Sequence, residues 1–153
     1  MTHNPQNIEF NVVPHWSIEY RKAIYLRYKL LRQPLGLKYT KAQMETETDQ
    51  IHIIGKINDQ IVACLCLVPS PDNSLKMRQV CVQKKFQSSG FGRQLVIYSE
   101  NIARQRGFSS IFLNARDYVV TFYLKLDYQI CSDQFLEIGI PHYKMIKHFL
   151  ILS

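Results

Sequence analysis

Hydrophobic and polar residues alternate along this chain with two different periods, and these periods predict an ordered series of strands and helices. Runs with period-two alternation or many β-branched residues are typical of strands, whereas apolar residues three and four positions apart are typical of helices. The predicted strands cover residues 8–13, 51–57, 61–68, 75–83, 108–113, 128–130 and 140–146. The predicted helices cover residues 17–31, the run after Gly92 up to about Arg106, and residues 117–126. This order predicts an α+β domain with a mixed central sheet and helices on both faces.

Turn-forming residues separate several of these elements. The tripeptide Asn58-Asp59-Gln60 predicts a tight hairpin between the second and third strands. Pro34 and Gly36 are expected to end the first helix, because proline cannot donate a backbone hydrogen bond and glycine favours a helix terminus. Gly107 is expected to cap the helix that precedes the fifth strand.

Length and composition are those of one globular domain, residues 1–153. Of these residues, 46% are hydrophobic and 20% are charged, which excludes a disordered or fibrous chain. The longest apolar runs are short and interrupted by charges, so we expect no membrane partner. Met1–Phe10 lacks the apolar core of a signal peptide, which favours a cytoplasmic protein.

The four cysteines agree with a reducing compartment. Cys64 and Cys66 lie two positions apart in one apolar run and are too close along a strand for an easy disulfide. Cys81 and Cys131 are isolated in the sequence. No second Cys or His pair has zinc spacing, so we expect reduced, mostly buried thiols and no metal site.

The formal net charge of +7 is unevenly distributed. Between His15 and Lys41 the basic residues greatly outnumber the acidic ones, of which Glu19 is the sole example. Those basic residues are Arg21, Lys22, Arg27, Lys29, Arg32, Lys38 and Lys41. The segment is either a solvated helix face or a surface that attracts a polyanion. It carries no stacking or groove-reading motif, so we expect no nucleic acid partner.

The segment Leu75–Ile102 carries the strongest chemical signal in the chain. A strand is followed by the loop Gln-Ser-Ser-Gly-Phe-Gly at residues 87–92 and then by an amphipathic helix. Loop amides and the unpaired amides of a helix N-terminus together bind anions. Gly90 and Gly92 would let the backbone adopt positive φ and approach a ligand closely. We therefore expect a phosphorylated ligand at this loop.

The loop does not fit two common nucleotide motifs. A Walker loop requires Gly-Lys-Ser/Thr, whereas Gly92 is followed by Arg93 and Gln94. A dinucleotide fingerprint requires a third glycine where this chain has Leu95, and it lies near the first strand rather than mid-chain. The remaining interpretation is the pattern Gln/Arg-x-x-Gly-x-Gly/Ala, with a plain strand-to-helix turn as its alternative.

Three motifs resemble those of the GNAT N-acetyltransferases, and the order of the predicted elements matches that family over nearly the whole chain. Residues 80–82 and 87–92 resemble the acetyl-CoA motif of that family, and residues 122–128 (Phe-Tyr-Leu-Lys-Leu-Asp-Tyr) are similar to its Phe-Tyr-x-x-x-Gly-Phe. Residues 32–37 and Ile-Pro-His at 140–142, with Met145, resemble a small bacterial branch of ElaA-like proteins. The resemblance implies a GNAT-like, mostly antiparallel mixed sheet of six to seven strands. It also implies a bacterial enzyme that transfers acetyl from acetyl-CoA to a primary amine.

The resemblance also implies which residues contact acetyl-CoA. The pantetheine arm would pair with the strand that ends near Gln83, the pyrophosphate would bind the loop amides, and a backbone N–H near Val82 would stabilise the oxyanion. Asn114 or Arg116 would replace an asparagine that often contacts CoA in the family. The implied cofactor-binding residues are Val80, Cys81, Val82, Gln87, Ser88, Ser89, Gly90, Phe91, Gly92, Arg93, Asn114 and Arg116.

Tyr123 occupies the general-acid position of the family and would protonate the leaving thiolate. The sequence does not identify the general base, because this chain has Arg78-Gln79 where the family often carries a glutamate. The candidates for that base are Glu45, Glu47, Asp49, His52 and His142, with a chain of water molecules as a further alternative. Asp127-Tyr128 replaces the Gly-Phe of the family, which should not abolish cofactor binding.

The sequence does not identify the amine that accepts the acetyl group. A polyamine, an amino sugar, an amino acid and a protein lysine are all compatible with it. We expect a small-molecule or peptide amine as substrate and either a monomer or a homodimer. The alternative function is a non-catalytic acyl-CoA-binding module on the same fold. The missing strand carboxylate favours that alternative, whereas Tyr123 argues against it.

Overall fold

The structure is a computed structural model that describes residues 7–150. The strands are β1 (Glu9–Val13), β2 (Ile51–Ile57), β3 (Gln60–Ser70), β4 (Ser74–Val82), β5 (Ser110–Arg116), β6 (Gln129–Ile130), β7 (Phe135–Glu137) and β8 (Ile140–His148). The α-helices are α1 (Ile18–Arg27), α2 (Lys41–Glu45), α3 (Phe91–Gln105) and α4 (Val120–Leu124). The strands form a mixed, mostly antiparallel sheet, which confirms the predicted fold class with eight strands instead of six to seven.

The described residues divide into two compact units. The first contains residues 7–67 and 79–99, and the second contains residues 68–78 and 100–150. β3, β4 and α3 each pass from one unit into the other along the chain.

In the first unit, β1, β2 and β3 form an antiparallel meander. Val13 pairs with His52, and a two-residue turn at Asn58 and Asp59 joins β2 to β3. Both turn residues have positive φ, which matches the twist of a tight hairpin and confirms the predicted turn. β2 and β3 are buried along most of their length, so they are continuous apolar runs rather than alternating strands.

Helix α1 covers this meander and provides much of the first unit's core. Ser17 caps its N-terminus, since the Ser17 side chain accepts a hydrogen bond from the amide of Tyr20. Ala23 and Leu26 pack with Val13, Ile54 and other apolar residues of the strands. At Gly55 a Cβ would meet the Phe10 and Ile8 side chains at under 3 Å, so the close packing of β1 on β2 requires glycine there.

In the second unit, β5 and β8 form the central antiparallel pair, with Arg116 opposite His142. β4 pairs in parallel with β5 through Ser74–Lys76, and β6 and β7 both pair with β8. Gly107 adopts φ +84°, and the amide of Phe108 bonds the carbonyl of Ala103, which is a glycine-terminated helix end as predicted.

Three local predictions differ from the structure. The helix predicted over 17–31 is α-helical to Arg27 and continues as a π-helical turn at Tyr28–Arg32. A 3-10 turn then leads to Gly36 at φ +69°. The strand predicted at 108–113 begins at Ser110, because the amide of Ser109 bonds Asn73 instead. Strand β7 was not predicted, since it is only three residues long.

Within residues 7–150, no helix has both the length and the apolar composition needed to cross a bilayer. The same residues contain no group of three or more His, Cys, Asp and Glu side chains that could hold a metal ion.

Candidate functional site

The glycine loop lies in the first unit between the end of β4 and the start of α3. A 3-10 turn at Lys84–Phe86 precedes it, and Ser88 and Gly90 both adopt positive φ, +66° and +87°. Ser89 donates a hydrogen bond to the carbonyl of Phe86, and the side-chain amide of Gln87 donates to the carbonyl of Val82 at 2.9 Å. These bonds fix the shape of the loop without using the amides at the start of α3.

The first turn of α3 leaves backbone donors available at the loop. The first bond of the helix joins the amide of Gln94 to the carbonyl of Gly90 at 3.1 Å, so the preceding amides of α3 have no intrahelical acceptor. A Cβ added to Gly90 would meet no heavy atom within 4 Å, so the space beside this residue is open. The expectation of positive φ at Gly92 was wrong, because α3 already begins at Phe91 and Gly92 lies in its first turn.

The last residues of β4 have an irregular backbone. Gln79 is a non-glycine residue at φ +59°, and its side-chain oxygen accepts a 2.9 Å hydrogen bond from the hydroxyl of Tyr39. The amide of Gln83 donates to the carbonyl of Val62 on β3. Because backbone groups alternate along a strand, the amide of Val82 points toward the opposite edge of β4.

Cys81 is isolated in the sequence but has a cysteine neighbour in space. Its sulfur lies 3.3 Å from the sulfur of Cys64 on β3, and both residues are buried in the core of the first unit. The hydrogen bond with Cys81, together with burial, raises the pKa of the Cys64 thiol. Among the described residues none of the four cysteines forms a disulfide, and Cys131 is exposed.

Of the three carboxylates considered as bases, Glu47 is buried, whereas Glu45 and Asp49 are exposed. Glu47 is 7% exposed and accepts hydrogen bonds from Arg27 at 2.9 and 2.7 Å and from the hydroxyl of Tyr20 at 2.7 Å. Burial would raise the pKa of Glu47, but the bonds and charge of Arg27 lower it below its usual value. Glu45 is exposed and lies 4.0 Å from Lys41. Glu47 therefore has a structural partner, whereas Glu45 stays accessible.

His52 lies beside this buried carboxylate group. Its Nε2 lies 3.0 Å from the backbone carbonyl of Glu47, and its ring contacts the rings of His15 and Tyr20. Burial lowers the pKa of His52, so the neutral imidazole is favoured near neutral pH. The structure brings His52 together with Glu47, but not with Glu45.

Tyr123 lies on α4 in the second unit and is buried. No hydrogen bond to its hydroxyl is found among residues 7–150, and its ring packs edge-on against the rings of Phe122 and Tyr128. Burial raises the pKa of Tyr123, so the phenol stays protonated at neutral pH. The neighbouring Tyr128, by contrast, donates a 2.9 Å hydrogen bond to the buried carboxylate of Glu100.

A second polar cluster lies at the meeting of β5, β7 and β8. His142 Nδ1 lies 2.7 Å from the carbonyl of Ile140, and its Nε2 lies 3.4 Å from one oxygen of Glu137. Asn114 donates a 3.1 Å hydrogen bond to the other oxygen of the same carboxylate. Since a carbonyl only accepts, Nδ1 carries the proton, and Nε2 of a neutral ring is the basic nitrogen beside Glu137.

The sequence did not identify Glu137, although it singled out both of its partners. Glu137 and His142 are five residues apart, and the turn at Ile138 and Gly139, both at positive φ, folds β7 back on β8. Gly139 alone is a turn signal here, so the pairing could have been inferred only if β7 had been recognised. Arg116, the other candidate for contacting CoA, donates to the hydroxyl of Tyr118 at 2.9 Å.

The family of this chain follows from a match to a known domain. Residues 33–149 match the model of the acetyltransferase (GNAT) domain. The chain belongs to the GNAT acetyltransferase family. This confirms the resemblance seen in the loop at residues 87–92 and in the segment around Tyr123.

Individual relatives agree with this assignment. The chain is 38% identical over 128 residues to a Bacillus subtilis protein named uncharacterized N-acetyltransferase YjcF. The aligned residues cover 83% of this chain and 91% of that protein. Among solved structures, Escherichia coli ElaA has a TM-score of 0.79 at 20% identity, over 92% of this chain and 99% of that one. An aminoglycoside 6'-N-acetyltransferase complexed with coenzyme A has a TM-score of 0.77 at 14% identity, over 95% and 99% of the two chains. These structures share the fold.

Proposed function

We propose that this acetyltransferase moves acetyl from acetyl-CoA to a primary amine by direct attack in a ternary complex. The observation that carries the proposal is the glycine loop, whose open space at Gly90 and available α3 amides fit a phosphorylated cofactor. We also propose that the two units belong to one catalytic domain, since the family match extends over residues of both. The expectation of a cytoplasmic bacterial protein stays part of this proposal.

The residues of the loop fit the pyrophosphate of CoA. The amides of Phe91, Gly92 and Arg93 precede the first α3 bond, and the positive end of the helix dipole favours a negative charge there. The exposed Arg93 side chain, in the same turn, would add a charge-assisted bond. The amide of Val82, directed away from β3, is the proposed donor to the oxyanion. Bound acetyl-CoA would supply the acetyl group as an activated thioester.

Tyr123 is the proposed acid. Its phenol is protonated because burial raises its pKa, and the lack of a hydrogen-bond partner among the described residues leaves the proton available. Transfer of this proton to the departing sulfur would give a neutral thiol, and the tyrosine would be reprotonated before the next turnover.

The pair formed by His142 and Glu137 is the proposed proton acceptor for the amine. A proton taken up at Nε2 of His142 would lie beside a carboxylate, which stabilises the resulting positive charge. His52 and Glu45 are the alternative bases.

The proposal is tested by measuring free thiol released from acetyl-CoA with a panel of amines: a polyamine, an amino sugar, an amino acid and a lysine peptide. We expect thiol release that depends on one of these amines, together with saturable acetyl-CoA binding by calorimetry. Binding without thiol release from any amine would instead support a non-catalytic acyl-CoA-binding module. Absence of acetyl-CoA binding would overturn both.

A further inference from the structure

A pocket of about 780 Å³ lies in the first unit between α1 and the turn that joins β2 to β3. Its apolar lining includes Leu26, Leu30 and Ile61, and also Ile18 and Tyr25, which are 70% and 62% exposed. This volume lies in the range of small-molecule sites, about 300–1,000 Å³. The pocket is lined neither by the glycine loop nor by the proposed acid and base.

The charges of this pocket have one predominant sign. Arg21, Lys22, Lys29 and Lys84 line it, and Asp59 is the only carboxylate among its lining residues. Within residues 7–150, none of the four cations lies within ion-pair distance of a carboxylate. All four cations are exposed, so the basic residues of the first helix form a solvated, unneutralised rim on this pocket.

The wall contributed by α1 has an unusual backbone. After Arg27 the helix widens into the π-helical turn Tyr28–Arg32, closed by the amide of Gln33 on the carbonyl of Tyr28. This turn supplies both Lys29 and Leu30 to the pocket. π-helical turns are rare and occur frequently at functional sites, because they redirect side chains that a regular helix would place elsewhere.

We propose that this pocket binds a small amphipathic anion, a carboxylate carried on an aliphatic or aromatic body. The apolar lining would remove the body of such a ligand from water, and the four cations would neutralise its head group. A cationic ligand, including the amine acceptor of the proposed reaction, is disfavoured by the same charges. The site is independent of acetyl transfer and binds without turnover.

Three probes separate the contributions of the apolar tail and of the negative charge to the binding affinity. Octanoate carries both features, octylammonium has the same tail with the opposite charge, and acetate has the charge without the tail. Calorimetry should show saturable octanoate binding at least about tenfold tighter than that of either other probe, a ratio that corresponds to about 1.4 kcal/mol. NMR shift changes should map to Leu30 and Ile61. Equal affinities of octanoate and octylammonium, or no saturable binding at millimolar concentration, would overturn the proposal.

A matched pair of variants tests the location. The double variant K22E/K29E reverses two charges in the pocket, and K38E/R106E makes the same change in net charge at exposed positions outside it. We expect octanoate affinity to fall at least about tenfold in the first variant and to stay within twofold of the wild type in the second. Equal losses in both would mean nonspecific attraction.

Two further outcomes would also contradict the proposal. Competitive displacement of octanoate by acetyl-CoA would assign the pocket to the cofactor, since Lys84 precedes the glycine loop by only three residues. A dimer of the wild-type chain that K22E/K29E dissociates in ultracentrifugation would assign the pocket to a second copy. Circular dichroism of both variants checks that the fold is retained.

Discussion

Arg27 and Glu47 form a buried, bidentate ion pair that joins the end of α1 to the segment before β2. The nitrogens of Arg27 lie 2.9 and 2.7 Å from the two oxygens of Glu47, and the hydroxyl of Tyr20 bonds one of them at 2.7 Å. The ring of Tyr39 lies between the guanidinium groups of Arg27 and Arg32, 4.9 and 4.6 Å from their central carbons. Tyr39 in turn bonds Gln79, so the pair is connected to the irregular part of β4.

Replacement of Glu47 by glutamine should destabilise the protein strongly. The change leaves the buried charge of Arg27 without its carboxylate, and such losses cost about 3–5 kcal/mol. Urea unfolding followed by circular dichroism measures this cost. The matched control is Glu45→Gln, which removes an exposed carboxylate 4.0 Å from Lys41 and should cost less than about 0.5 kcal/mol. Similar costs for the two variants would show that the buried pair is not a principal structural contact.

The stability of the protein should fall as the solution becomes acidic, in two steps. Burial lowers the pKa of His52. At pH values below its ordinary pKa of 6.5 the unfolded chain therefore binds a proton at His52 more readily than the folded chain, which lowers the free energy of unfolding. Arg27 lowers the pKa of Glu47 despite burial. The contribution of Glu47 to the free energy of unfolding is therefore complete at pH values above its ordinary pKa of 4.5, and it is lost as the pH falls through the folded-state pKa.

Unfolding free energies measured from pH 8 down to about pH 2 distinguish these steps. The variant His52→Gln should flatten the dependence below pH 6.5 while leaving the loss below pH 4.5. An unchanged slope in the upper step would show that another group titrates there.

The order of strands and helices was predictable because it depends on local periodicity and turn residues. Asn58, Asp59 and Gly107 adopt the positive φ that their turns require, as their residue types indicated. The burial of Glu47 was not predictable, because it depends on Arg27, twenty residues earlier in the chain. Glu137 was missed for the same reason, since its partner Asn114 lies on another strand. Periodicity reports which face a residue occupies but not which distant partner it meets.

Gly90 should be required for cofactor binding in a way that Gly107 is not. Both glycines have nearly the same backbone angle, φ +87° and +84°, and both have open space where a Cβ would lie. Replacement by valine should therefore cost about 1–3 kcal/mol of stability at each. Only Gly90→Val is expected to place a side chain against the bound phosphates and raise the Kd for acetyl-CoA by more than about tenfold. Calorimetry at a temperature where both variants are folded tests this, and equal Kd values would contradict an anion site at the loop.

The variant Tyr123→Phe should lower kcat by about 10²- to 10⁴-fold with little change in the Kd for acetyl-CoA. The phenylalanine ring keeps the contacts with Phe122 and Tyr128 but removes the protonated hydroxyl. The control Tyr25→Phe removes a hydroxyl from a tyrosine that is 62% exposed and has no proposed role in acetyl transfer, and it should change kcat less than about threefold. Single-turnover thiol release measures the effect. An unchanged kcat at every pH would show that another group protonates the sulfur.

Glu137 and His142 should act as one unit in accepting the proton of the amine. If His142 takes this proton and Glu137 stabilises the product, His142→Gln should lower kcat/KM by about 10²-fold or more. Glu137→Gln keeps an oxygen that can accept the hydrogen bond from Asn114 but removes the negative charge beside His142, so it should also lower kcat/KM. The double variant should be no slower than His142→Gln alone, because residues that act as a unit are not additive. His148→Gln, at an exposed position on the same strand, is the control and should leave kcat/KM unchanged. Additive losses in the double variant, or a wild-type kcat/KM for Glu137→Gln, would separate the two residues and leave His52 and Glu45 as the candidates for the base.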